Sequence, residues 1–247
     1  MKRKPSRCPH RVSGSGVLVA AVGMPDPPFD AGLLYHAFEG LLPPAYEALM
    51  PSMADGEHGT SEMKRVTSIA MGLSERGDQE DRRRTLRSLF GSYKYITEAP
   101  ACFFVDDICD MYPNVRLILN TRSAKKGPSH RHEVKKLFGL PMQAATHTAD
   151  RLNTATGSKR AVYTACRDRF LQMRYGVSSV HDHRLIKRHN AWVRAVAKRK
   201  NVELLEWNED DGWGPLCAFL GWEEPRIAFE PSTSRKIVSK AIRFAIS

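Results

Sequence analysis

Glu98 and Arg122 are the side chains whose types and settings most invite chemistry. Each follows a β-prone run. Tyr95, Ile96 and Thr97 lead to Glu98, and Pro100 stops the run just beyond. Val115, Leu117, Ile118 and Leu119 lead through Asn120 and Thr121 to Arg122. That second run is nearly continuous and apolar, as expected of a strand covered on both faces. Ligands in open α/β sheets bind beyond the carboxyl ends of the strands. The sequence therefore predicts Glu98 and Arg122 side by side on one functional edge. A carboxylate there can take a proton from a nucleophile, and a guanidinium can grip a phosphate bidentately. The two groups could equally form a structural ion pair, Glu98 with Arg122 or with Lys94.

The elements that must position them alternate between strand and helix. Residues 17–22 (VLVAAV) form an apolar, hence central, strand. Gly23, Met24 and Pro25 turn the chain, and residues 31–42 place Leu34, Phe38 and Leu41 in helical register. Strand, glycine turn and helix is the layout of a phosphate-binding loop. Here Asp26, Pro27, Pro28, Phe29 and Asp30 fill that loop. They bring no cation, no hydroxyl and no second glycine, and the prolines remove backbone donors. Helices are expected at 46–53, 62–73, 81–90, 101–111, 160–175, 183–200, 212–220 and 234–246, with a third strong strand at 202–207. Arg82, Arg83 and Arg84 read as a solvated helix face. His189 and Asn190 read as residues that cap or bridge helices, and Trp213 and Trp222 as packing residues. The pattern predicts one α/β domain over 16–247: a mainly parallel sheet with helices on both sides and a helical insertion at about 125–200. Residues 1–15 read as a flexible basic tail.

Composition narrows the function. A chain of 247 residues with 42% apolar and 26% charged residues can bury a full core. No apolar run is long enough to span a membrane. Five cysteines without a CxxC pair fit reduced thiols, so a cytoplasmic protein is expected. The net charge of +11 attracts polyanions without naming one. Zinc, helix-turn-helix and RNP patterns are lacking, and aromatics do not alternate with the basic runs, so nucleic acid is not the expected partner. His130, His132, His181, His183 and His189 lack a carboxylate pattern that would close a metal site, so no metal is expected.

Three segments resemble the P-loop sulfotransferase family, in its sulfotransferase-like branch common in fungi. They are TEAPACFF with YPNVRLILNTRS, RHNAWVRAV, and LLEWNEDDGWGPLCAFLG, and the last is the most specific. The resemblance covers about 90–122 and 183–231, with a weaker match at 17–42. It implies a P-loop-type fold and sulfuryl transfer from 3′-phosphoadenosine 5′-phosphosulfate to a hydroxyl of a small molecule, without a metal. It also implies roles: Glu98 as the acid/base group, Arg122 as the 3′-phosphate ligand, Ser129 as a loose match to the serine that completes that site, and Arg235 in a late phosphate-binding segment. Gly23 and Pro25 keep the start of the family's loop, but the cation that would follow is missing. The alternative implied by that loss is an inactive or repurposed member that serves as a binding or scaffold module.

Overall fold

The computed structural model describes residues 16–24, 34, 35, 37, 38, 57–76, 78–121, 159–180, 182–226 and 229. The basic tail, the loop from Asp26 to Asp30, Arg122, Ser129, Arg235 and the expected helices at 46–53 and 234–246 lie outside these residues.

Four strands carry the fold: β1 (Val19–Ala21), β2 (Tyr95–Thr97), β3 (Arg116–Asn120) and β4 (Leu204–Trp207). They form one parallel sheet in the order β2-β1-β3-β4. Val19 stands opposite both Tyr95 and Arg116, and Asn120 opposite Trp207. The chain thus moves from β1 to one side, then returns to the other. Parallel neighbours need crossovers, and helices supply them. These are α1 (Glu57–Arg76), α2 (Gln79–Phe90), α3 (Val105–Met111), α4 (Lys159–Tyr175), α5 (Leu185–Lys200) and α6 (Trp213–Leu220). Among the described residues no helix is long and apolar enough to cross a membrane.

The period-two alternation of the strands sorts their side chains into two cores. Ala20, Val22, Ile96, Leu117 and Leu119 face the larger one, with Phe90, Phe103, Phe104, Phe170, Val193 and Val196. Val19, Ala21, Tyr95, Ile118 and Trp207 face the other, with Leu34, Phe38, Leu216 and Leu220. Covering both faces explains why β1 is apolar throughout. Burial of each large side chain stabilises by about 1.5–3 kcal/mol. Trp222 closes the second core edge-on to Phe38 and tilted onto Tyr95, and Trp213 packs on Phe229. Both tryptophans pack as the sequence implies.

The helix ends follow their chemistry. Asp78 caps α2 by accepting from the Asp81 N–H at 3.0 Å. Asn201 ends α5 in the left-handed region, after Lys198, Arg199 and Lys200, whose charges suit a helix carboxyl end.

One expectation needs correcting here. Arg82 is not part of a solvated face. It is buried, its guanidinium grips Asp107 through two bonds of 2.8 Å, donates to the Ala70 carbonyl and lies over the Phe104 ring. Arg84 stays exposed. The difference is register, since helical spacing turns Arg82 with Leu86 and Leu89 toward the core. The α3 acids divide among partners on both sides: Asp107 to Arg82 of α2, Asp106 to Arg199 and Asp110 to Lys200 of α5. Removing one member of a buried pair strands the other charge, whereas exposed pairs contribute little. Asp107→Ala is expected to cost about 3 kcal/mol in urea unfolding, and Asp106→Ala less than about 1 kcal/mol. Equal losses would contradict this division.

Candidate functional site

The strand order reverses between β1 and β3, and such a switch point opens a crevice at the carboxyl edge. Gly23, Glu98, Asn120 and Thr121 lie at that edge. The Val22 N–H donates to Ile118 O at 2.8 Å, and the Thr121 N–H to Trp207 O at 2.8 Å, so the sheet bonding continues past the strand ends. Gly23 follows directly. A Cβ on Gly23 would lie 2.6 Å from Asn120 Cβ and 3.0 Å from the Asn120 nitrogen. Only a residue without a side chain fits there.

Glu98 emerges from β2 with φ +48°, the left-handed region that a branched or long side chain rarely occupies. Two backbone bonds hold it there. Its N–H donates to Ala21 O at 2.7 Å, and its carbonyl accepts from the Cys102 N–H at 2.7 Å. The residue is buried, with 6% of its surface exposed. Behind it, residues Ala101–Phe103 form a 3-10 turn leading into α3. Phe103, Phe104 and Phe170 pack edge to face at centroid distances of 6.0–6.3 Å and back that turn. Burial, reinforced by the Glu98 charge, pushes the Cys102 thiol well up, which keeps it protonated and out of nucleophilic chemistry.

The placement of Glu98 relative to β3 differs from expectation. Glu98 and the end of β3 share the edge, but β1 runs between their strands. The expected side-by-side arrangement is therefore replaced by one in which each flanks the end of β1. Sequence order does not reveal spatial strand order, which is why the separation was not legible. Arg122 directly follows Thr121; Arg122, Ser129 and Arg235 themselves fall outside the described residues.

His189 joins a helix to the sheet edge as well as to another helix. It reaches from α5 to the carbonyl of Val22 at 2.6 Å through Nε2, while Nδ1 meets the Tyr175 hydroxyl at 2.9 Å. A carbonyl only accepts, so Nε2 carries the proton and Nδ1 accepts from the tyrosine. Burial lowers the His189 pKa to about 4, with the nearby Arg174 charge contributing, so the ring is neutral at pH 7. Burial pushes Tyr175 up, and its hydroxyl stays a donor. His189 bridges as its sequence context suggests, but its partner is the strand end beside Gly23. Trp192 completes the box, 5.8 Å from His189 and 5.9 Å from Tyr175. Arg174 in turn stacks over Trp192 at 4.4 Å and Phe170 at 4.8 Å. Tyr175 carried no signal in the sequence that distinguished it from a core aromatic.

A cleft of about 270 Å³ lies elsewhere, lined by residues that include Arg82, Arg83, Asp106, Asp107 and Arg174. It sits among α1, α2, α3 and α4. Asp106 and Asp107 are already engaged by Arg199 and Arg82, so the edge rather than this cleft is the candidate site.

A four-stranded parallel sheet with a core on each face is an α/β architecture consistent with the P-loop type. The chain belongs to the sulfotransferase family: the model of the sulfotransferase domain matches residues 35–237. It is also 26% identical over 148 residues to "Ava biosynthesis cluster protein M" of Aspergillus versicolor. That match spans 57% of this chain and 54% of the relative, so the chain covers about half the length of the curated relative it matches.

Two expected outcomes follow from this geometry. Gly23→Ala forces β1 and β3 apart and should lower stability by about 1–3 kcal/mol in urea unfolding, an overpacking cost. Stability equal to wild type would show that the contact yields freely. For His189 the folded pKa lies below the ordinary 6.5, so the unfolded chain binds the proton more readily. Its contribution is full above pH 6.5 and is lost as the pH falls toward 4, about 3 kcal/mol across that window. Unfolding measured at pH 7 and pH 4.5 should show a larger loss in wild type than in His189→Gln, whose amide retains a donor and an acceptor but does not titrate there. Matching losses would remove His189 as the source.

Proposed function

We propose that this chain transfers a sulfuryl group from 3′-phosphoadenosine 5′-phosphosulfate to a hydroxyl of a small metabolite. Glu98 is the base in this proposal. The observation that carries it is the Glu98 backbone, held at φ +48° by bonds to Ala21 and Cys102 at the carboxyl end of β2. Strained backbone maintained by surrounding structure is a feature of working sites. The carboxylate would take the proton from the acceptor hydroxyl as its oxygen forms the bond to sulfur. The bound nucleotide supplies the sulfuryl group and leaves as the 3′,5′-bisphosphate.

Arg122, next after β3, would hold the 3′-phosphate, since a guanidinium matches phosphate oxygens in pairs. Ser129 and Arg235 are assigned to the remaining phosphate contacts, and Gly23 lets the chain turn beside them. The donor set fits the 3′-phosphate better than the phosphosulfate, because residues 24–30 offer no cation. A metabolite acceptor is supported by the relative's name as a biosynthesis cluster protein. Cys102, Cys109, Cys166 and Cys217 are free thiols, which supports a reducing compartment such as the cytoplasm.

The loop between Gly23 and Leu34 favours a second reading, a member that retains the fold as a binding module. Preorganised donors at a transferring group are worth about 3–4 kcal/mol of barrier each, and Asp26 and Asp30 supply none.

Calorimetric titration with 3′-phosphoadenosine 5′-phosphate separates the readings. The expected result is micromolar binding that Arg122→Ala weakens at least about tenfold, the scale of a lost charge-assisted bond. Glu98→Gln should leave that affinity unchanged and lower turnover about 100-fold or more on any acceptor found. Binding without turnover supports the binding module. Lack of binding at millimolar nucleotide removes the donor proposed here.

A further inference from the structure

Three buried side-chain atoms have no hydrogen-bond partner among the described residues: Thr67 Oγ1, the Tyr112 hydroxyl oxygen and Asn190 Oδ1. Buried polar groups are normally paired, so each calls for an explanation. Tyr112 precedes β3 and so lies toward the amino ends of the strands, and Thr67 lies within α1. Asn190 is at the opposite edge, next to the candidate site.

Helix geometry fixes its position. His189, its neighbour in α5, bonds to Val22 just past the end of β1. Arg194, one turn later on the same helix face, grips Glu206 of β4 through bonds of 2.6 and 2.7 Å. Between β1 and β4 lies β3. Asn190 lies between those two anchors on α5, the helix that packs on β3, and β3 leads through Asn120 and Thr121 to Arg122. Only 7% of its surface is exposed. A carboxamide oxygen placed there without a partner bears an uncompensated desolvation penalty. The fold gains nothing from it unless something else supplies the donor.

We infer that Asn190 Oδ1 accepts a hydrogen bond from a neutral donor of the bound nucleotide, a ribose hydroxyl or the adenine amine. Phosphate is the wrong match, because two acceptors repel. This rests on the nucleotide reading given above and assigns a residue that discriminates the nucleoside from its phosphates. Asn190 is thereby a binding residue for the nucleoside half of the ligand, while Arg122 serves the phosphate half.

The test uses the full chain, 3′-phosphoadenosine 5′-phosphate, and Asn190→Leu, which keeps the approximate volume but removes the acceptor. The variant is expected to bind about tenfold more weakly, the value of one neutral hydrogen bond in a buried site. That deficit should be the same at low and high salt, whereas the Arg122→Ala deficit shrinks as salt screens the phosphate. Without nucleotide the variant should melt at or above the wild-type temperature, because the oxygen removed was making no bond. Should leucine prevent folding, Asn190→Ala makes the same comparison without added bulk. A lower melting temperature together with undiminished affinity places Asn190 in the service of the fold and overturns the inference. Undiminished affinity in a wild type that binds overturns this inference alone. A wild type that does not bind overturns the nucleotide reading and, with it, the donor assigned here.

Discussion

The bond from His189 to the Val22 carbonyl is the constraint on which the site depends. The end of a parallel strand leaves carbonyls and N–H groups that the sheet no longer pairs, and buried ones must find partners. At β1 the Val22 N–H still reaches β3, but its carbonyl is met from a helix that arrives far later in the chain. The carbonyl fixes the tautomer, and Tyr175 of α4 meets the other ring nitrogen, so two helices and a strand share one short chain of bonds. Arg174, stacked on Phe170 and Trp192, closes the surrounding box. Because the ring is buried and neutral, the cation in this box is Arg174, held over aromatic faces rather than at the strand end.

Glu98 is held by different means. Its backbone is set by bonds on both sides, and a packed aromatic group lies behind the turn that follows. The paired acids of α3 then fix that helix to α2 on one side and α5 on the other. The base role proposed for Glu98 would draw on such support, since an acceptor has to meet a base at hydrogen-bond distance. The left-handed backbone at Glu98 costs something like 1–2 kcal/mol, which the local bonds offset.

Much of the fold was legible because its signals are local. Continuous apolar runs marked β1 and β3, the strand expected at 202–207 forms as β4 at Leu204–Trp207, and helical spacing marked α2, α4 and α5 to within a few residues. Glu98 was legible from its place after a β-prone run. The order of the strands was not, since pairing across the sheet joins residues far apart in sequence and leaves no mark in either run alone. Arg82 was misread because a cluster of three arginines hides which one the helix turns inward. His189 was recognisable as a bridge, but its partner is a backbone carbonyl, and every residue has one. The left-handed backbone at Glu98 was invisible for a similar reason: glutamate carries no preference for that region.

The contact between Gly23 and Asn120 sets a floor to the crevice. With less than the space of one carbon atom between the strand ends, no part of a ligand can wedge into the sheet. Whatever binds must rest on top of the edge. The sheet therefore supplies a level platform and little discrimination. Selectivity must come from residues beyond the strand ends, where the sequence can change without disturbing the packing below. A lineage with this platform could exchange one ligand for another while its core stayed the same.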